Sequence, residues 1–498
     1  MQVNPFEKRR VGILLHPTSL PGKWGNGDFG RHAYRFVDFL ASAGQTIWQI
    51  LPLGPTHHHS SPYQCLSVHA GNPQLINLDE FVDRGWLQNQ DITQALSESN
   101  EDTIQLRYKL LNKAYQSFVE KPDIDDQNAL TQFIDEQRFW LEDYALYMAL
   151  RKENKSKDWS QWPDAVRDRD EKSLRQARKR LDAFIQQVFF EQFFFYSQWN
   201  ALKKYANERN ILIFGDMPIF VAFDSVDVWV NRQYFQLDET GKPTVVTGVP
   251  PDYFSATGQR WGNPQYHWEN MQASGFSWWH ERIDAQLQLF DLIRIDHFRG
   301  FESYWEIPAE HDTAIDGRWV AAPGDELLAS FANKYENIPF VAEDLGIITD
   351  EVTKLRDKYS LPGMKVLHFA FDGSSDNPYL PHNHERNSVV YTGTHDNDTT
   401  QGWYESLSDE SKYYVNQYLD CVAEDMPWAL IKSAFSSVAN TAIIPMQDIM
   451  NLGTENRMNV PGTSSGNWRW RFNWDQLDEE ALISRLRHYC ALYGRLQG

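Results

Sequence analysis

Three apolar runs in this sequence end in acids, and the residue types at those ends could do covalent chemistry. The densest is Leu292-Ile293-Arg294-Ile295-Asp296-His297-Phe298-Arg299-Gly300. Pro339-Phe340-Val341-Ala342 runs into Glu343-Asp344-Leu345-Gly346. Ser388-Val389-Val390-Tyr391 runs into Thr392-Gly393-Thr394-His395-Asp396-Asn397-Asp398. Arg294 and Asp296 alternate around Ile295, so on a strand both point to one side. A guanidinium beside a carboxylate favours the ionised form by charge attraction. The reaction that needs two carboxylates flanking one bond is glycosidic cleavage: one attacks the anomeric carbon, the other protonates the leaving oxygen. Asp296 suits the attack, and Glu343, with its longer reach, suits the proton transfer. Asp396, preceded by His395, suits gripping the ring hydroxyls of a distorted sugar. His297 and His395 are expected as polar contacts to that ring.

These acids converge only if the runs are parallel strands of one barrel with their carboxyl ends at one mouth. Eight such runs can be read: Val11–Leu15, Thr46–Leu51, Ile211–Asp216, Leu292–Asp296, Phe340–Glu343, Met364–Leu367, Ser388–Tyr391 and Ala442–Pro445. Helical periodicity separates most of them, beginning with His32 to Ala43, where Ala33, Phe36, Val37 and Leu40 share a side. The expectation is a single (β/α)8 TIM barrel over residues 1–498, with a closing helix from Glu479 to Leu496 and no separate C-terminal β-sandwich domain. Residues 79–170 lack strand-like runs and read as a helical insertion subdomain. A helix from Glu171 to Arg209 is expected to bend near its aromatic run, Phe189 to Tyr196. Residues 217–264 are rich in Gly and Pro and read as a loop-rich insertion over the active site, an aromatic lid carrying Tyr253, Phe254 and Trp261. Tyr63, behind Pro62 in a polar loop, is a candidate platform for a sugar ring.

Composition narrows the partners. With 498 residues, 42% hydrophobic, the chain can bury a large core. A net charge of −21 without a basic cluster argues against nucleic acid and against an anionic membrane. No apolar run is long enough to span a bilayer, and the first ten residues lack the apolar stretch of a signal peptide. Cys65, Cys421 and Cys490 are odd in number and far apart, which points to a reducing compartment, and so to the cytoplasm. The run His57-His58-His59 has no Cys or acid at ligand spacing and its side chains diverge, so no metal site is expected there.

The chain resembles glycoside hydrolase family 77, the amylomaltase or 4-α-glucanotransferase branch of the α-amylase superfamily. The resemblance is carried by Ser61-Pro62-Tyr63-Gln64, Gly215-Asp216-Met217-Pro218, Gly248 to Phe254, Arg294 to Gly300, Ala342 to Gly346, Gly393 to Asn397 and Ser465-Gly466-Asn467-Trp468, in the family's order along nearly the whole chain. It implies Asp296 as nucleophile, Glu343 as acid/base and Asp396 as transition-state stabiliser. It implies further that Tyr63, Asp216, Arg294, His297, His395 and Asn467 line the donor subsite, and that Gly248 to Phe254 with Trp261 cover the acceptor side. No metal or organic cofactor is implied. The implied substrates are malto-oligosaccharides and other α-1,4-glucans derived from starch or glycogen. The first loop, Pro21 to Gly27, departs from the family's usual Tyr-Gly-Ile-Gly type of sequence. The carboxylates alone leave three readings open: a transglycosylase, a hydrolase using water through the same intermediate, and a glucan-binding protein without activity.

Overall fold

A computed structural model describes residues 6–57, 61–97, 103–121, 123–251, 255–463 and 465–497. Eight parallel strands form the core: β1 (Arg10–Leu14), β2 (Ile47–Gln49), β3 (Leu212–Pro218), β4 (Leu292–Asp296), β5 (Phe340–Ala342), β6 (Gly363–Val366), β7 (Ser388–Tyr391) and β8 (Thr441–Pro445). They are hydrogen-bonded in the order β6-β7-β8-β1-β2-β3-β4-β5. The two open edges meet where Ala342 N donates to Pro362 O at 2.9 Å, which makes the sheet a near-closed barrel. The eight expected strands are present, each within a few residues of its expected ends. Their apolar runs have a simple cause: Ile293, Ile295, Val341, Val389 and Ile443 are completely buried, because a barrel strand is covered on both faces over its middle.

Register sets up the site. Asp216 of β3 lies directly opposite Arg294 of β4, and Pro218 lies opposite Asp296. Gly215 is needed beside Asp216, since a Cβ there would come within 2.2 Å of the Phe290 ring.

Three expectations are corrected. Residues 171–209 form two helices, Glu171–Arg180 and Asp182–Asn207, and the break falls at Leu181 rather than in the aromatic run. The last turn of the first holds Arg178, Lys179 and Arg180, and the second opens with Asp182, a charge order that suits one helix ending and another beginning. The aromatic run stays helical because its rings pack outward on neighbours, with Phe190 to Phe194 at 4.8 Å and Phe81 to Phe194 at 5.0 Å. The closing helix stops at Leu492, and Gly494 turns the chain with φ 63°.

The third correction bears on the site. Residues expected to be plain loop contain strands Val245–Val249 and Gln259–Pro264, which join Ser303–Pro308 and Arg318–Ala321 in a four-stranded antiparallel sheet. Val245–Val249 is central, between Gln259–Pro264 and Ser303–Pro308. Trp261 therefore sits on a strand. Tyr253 and Phe254 lie outside the described residues. So do His58 and His59; His57 Nδ1 is 3.8 Å from Asp224 Oδ2. Among the described residues, no helix is long and apolar enough to cross a membrane.

Candidate active site

The carboxyl ends of β3, β4, β5 and β7 open into a cleft of about 1280 Å³. Arg294, pointing in from β4, is its electrostatic centre. Its Nη1 binds both oxygens of Asp216, at 2.9 and 2.7 Å, and its Nη2 lies 2.9 Å from Asp296 Oδ1. Arg294 is 5% exposed and Asp216 fully buried, so this pair has little water to fall back on. Removing one partner of such a pair typically costs about 3–5 kcal/mol. Burial pushes the Asp216 carboxyl up against Arg294's pull; burial also disfavours charge on Arg294, but Asp216 and Asp296 together outweigh it and hold the guanidinium cationic.

A chain of hydrogen bonds runs on from Asp216. Tyr63 Oη donates to Asp216 Oδ2 at 2.8 Å, so its only proton is used there. Tyr63 Oη must then accept from His395 Nε2, also 2.8 Å away. The same nitrogen lies 3.3 Å from Asp396 Oδ2. His395 is therefore protonated at Nε2, the tautomer that serves both neighbours. Burial disfavours charge on His395, but Asp396 outweighs it and raises its pKa. Burial likewise pushes Asp396 up, yet the charge and hydrogen bond of His395, with a 2.6 Å bond from Asn459 Nδ2, hold it well below the usual carboxylate range.

Glu343 is held differently. It receives two backbone donors: Leu345 N to Oε1 at 3.0 Å, and His297 N to Oε2 at 2.7 Å. His297 makes its bond from a left-handed conformation, φ 55° and ψ 50°, which is uncommon outside glycine and clusters at functional sites. Burial dominates and pushes the Glu343 carboxyl up to about 7, with Arg294 opposing and Asp296 reinforcing. A protonated carboxyl here accepts both N–H groups and still has its proton to aim into the cleft. Burial also takes His297 down to about 4, so its ring is neutral.

The sequence-expected residues divide into two groups. Tyr63, Arg294, Asp296, His297, Glu343, Asp396, Asn467 and Trp261 line the cleft. Asp216 and His395 stand behind that lining, buried at 1% and 7% exposure, and act on it through Tyr63, Arg294 and Asp396. Trp261 meets the His297 ring edge to face at 4.9 Å. The Asn467 amide is spent within its own loop, its Oδ1 accepting from Val460 N at 3.0 Å and its Nδ2 donating to Thr463 O at 3.1 Å.

Comparison with known proteins decides the family. Residues 15–477 match the family model described as 4-alpha-glucanotransferase, glycoside hydrolase family 77. The 4-alpha-glucanotransferase of Thermus thermophilus is 48% identical over 95% of this chain and 96% of its own. That of Synechocystis is 48% identical over 98% and 99%. The chain belongs to the 4-alpha-glucanotransferase family. It is an enzyme of the transferase class. An amylomaltase from Streptococcus agalactiae, solved with acarbose, superposes with a TM-score of 0.94 at 38% identity, covering 98% of this chain and all of that one. An amylomaltase from Corynebacterium glutamicum, 18% identical over 99% of this chain and 76% of its own, shares the fold with a TM-score of 0.78.

For this 4-alpha-glucanotransferase, sequence reading missed Asn459 and Arg457. Asn459 binds the Asp396 carboxylate, and Arg457 Nη2 donates to the Asp396 carbonyl at 3.0 Å. Both come from the loop after β8, on no strand end and in no periodic pattern, so no local signal marks them. Trp468 was noticed only within a motif; its ring lies 5.9 Å from Tyr63 and 6.0 Å from His395 and braces that pair.

Proposed function

We propose that this enzyme disproportionates α-1,4-glucans by a retaining double displacement. Asp296 attacks the anomeric carbon of the donor while Glu343 gives its proton to the bridging oxygen, and the reducing-end segment leaves as an alcohol. Glu343, now a carboxylate, takes the proton from the 4-hydroxyl of an acceptor glucan as that oxygen displaces Asp296. Each proton and bond is returned, and the net reaction is a transfer. Asp396, anchored by Asn459 and His395, accepts hydrogen bonds from ring hydroxyls. The observation that carries this reading is the pairing in one cleft of an Arg294-bound carboxylate with a carboxyl raised to about 7. An acid and a nucleophile need such divergent surroundings.

The donor sugar is assigned to Tyr63, Arg294 and His297, and to Asn467 through the second lone pair of its Oδ1, with Asp216 and His395 as positioning residues behind them. Trp261, with Tyr253 and Phe254, is assigned to the acceptor side. The strand position of Trp261 supports this, since a ring on a sheet holds an acceptor better than a ring on a free loop. Residues 79–170 are read as an inserted helical subdomain and residues 217–264 as an insertion serving the cleft. Substrates are malto-oligosaccharides and starch- or glycogen-derived chains, and acarbose is expected to bind the same cleft. Three free cysteines fit a cytoplasmic location. Incubation with maltotriose tests the reading: glucose together with oligomers longer than the substrate supports transfer. Shortening alone would mean hydrolysis, and an unchanged substrate would mean binding only.

A further inference from the structure

The cleft has an open wall on the Glu343 side. Leu345 and Gly346 line it there, and the Leu345 amide holds Glu343. Gly346 has φ 87°, and a Cβ on it would meet nothing within 4 Å, so the wall is low at this point. The next residue, Ile347, is 60% exposed. Its carbonyl accepts from Arg299 Nη1. The same guanidinium lies over the Trp319 ring, 3.8 Å from its centre. Trp319 is on Arg318–Ala321, the edge strand of the antiparallel sheet that carries Trp261 at its other edge. It remains 39% exposed although the Trp305 ring packs against it at 5.3 Å. An indole and a branched aliphatic chain thus stand in water just beyond the open wall, joined through one arginine, and the reaction in the cleft uses neither.

We propose that Trp319 and Ile347 form an accessory glucan platform, which holds the part of a long chain that leaves the cleft over Gly346. The proposal rests on the α-1,4-glucan reading of the cleft. A polymer emerging beside Glu343 continues over the next exposed surface, and that surface is apolar and aromatic, the kind on which the C–H faces of sugar rings pack. Arg299 fixes the indole in place and ties it to the wall, so the platform is preorganised. Glu343 protonates the leaving segment, so this is the side where that segment departs and an acceptor enters. The platform therefore discriminates by chain length, favouring long glucans over those short enough to sit wholly within the cleft.

Steady-state kinetics of Trp319→Ala on amylose and on maltotriose tests it. The expected result is a KM for amylose raised roughly 3- to 10-fold, the loss of one stacking contact, against a much smaller change for maltotriose. Trp319→Phe should recover most of the loss, and Ile347→Ser should move the amylose KM in the same direction by less. Those two variants carry the test should Trp319→Ala not fold. An equal loss on both substrates would reduce Trp319 to a structural role, and an unchanged amylose KM would remove the platform. A dimer in gel filtration that Trp319→Ala dissociates, with the amylose KM unchanged, would make the patch a contact between copies and overturn the proposal. A wild-type enzyme that leaves maltotriose unconverted fails earlier, at the functional reading itself.

Discussion

Glu343 and Asp296 differ in how they are held, and that difference should be measurable. Asp296→Asn keeps the shape but cannot form an ester with the sugar, so transfer should fall by at least about 10³-fold with the fold intact by circular dichroism. Near-wild-type transfer would take Asp296 out of the role. Glu343→Gln has no acidic proton to transfer and turns its amide N–H₂ toward one of two backbone N–H groups, so it loses both chemistry and a hydrogen bond. On maltotriose the loss should be about 10²–10⁴-fold. On glucosyl fluoride, whose leaving group needs little proton donation, it should be much smaller; equal losses would mean Glu343 is not the acid. The sign of the pH dependence follows from the same residue. The acid must be protonated to work, and burial lifts it to about 7. Maltotriose turnover should therefore decline as pH rises above about 7, approaching a tenfold fall per unit, while glucosyl fluoride consumption should lack that limb. A limb of the same shape on both substrates would assign it to another group.

At the scale of elements, the proposed acceptor role falls on the hairpin of Val245–Val249 and Gln259–Pro264. Trp261 projects from it against His297, whose backbone N–H holds the acid. An acceptor resting on Trp261 occupies space that water would use and brings its hydroxyl to the intermediate at high effective concentration. Trp261→Ala should shift products from re-ligated oligomers toward hydrolysis by roughly 3- to 10-fold in ratio, the loss of one aromatic contact, with first-step cleavage falling less. Tyr253→Ala and Phe254→Ala are expected to act in the same direction. Chromatography of products at fixed maltotriose gives the ratio, and a uniform rate loss at constant ratio would leave the hairpin with a supporting role only.

For the whole molecule, the face of the barrel opposite the cleft carries a buried arginine that ties distant segments together. Arg495 is fully buried beneath it. Its guanidinium donates to Phe435 O and Arg10 O at 2.8 Å, Ala439 O at 2.9 Å, Ser437 O at 3.0 Å and Asn440 O at 3.1 Å. One side chain from the last residues thus stitches the start of β1 to the approach to β8, where the chain's two ends meet. Arg495→Met removes these five hydrogen bonds from one guanidinium. Phe435 O and Ser437 O keep Arg9 as a donor and Asn440 O keeps the Arg10 N–H, so the expected cost is about 1–3 kcal/mol. Thermal denaturation should show a lowered midpoint, with kcat at 25 °C on maltotriose near wild type. An unchanged midpoint would mean that water or neighbouring donors replace the guanidinium.

The barrel and its three acids were readable along the chain because their cause is local in sequence. A strand buried on both faces must be a short apolar run, and reactive groups can appear only where it ends, so Asp296, Glu343 and Asp396 announce themselves. Relations between distant segments were not readable. The strand character of Val245–Val249 depends on pairing with Ser303–Pro308, far along the chain, and its own Gly and Pro suggest a loop. The proton chain from His395 through Tyr63 to Asp216 joins loops after β2 and β7 to β3, and no residue in it carries a local mark of its partner. Asn459 reaches Asp396 from the loop after β8 for the same reason. Residue types, being inherited along the chain, set which chemistry was available. Burial and register, which exist only once strands close into a barrel, set that the Glu343 carboxyl is raised to about 7 while Asp396 is held low.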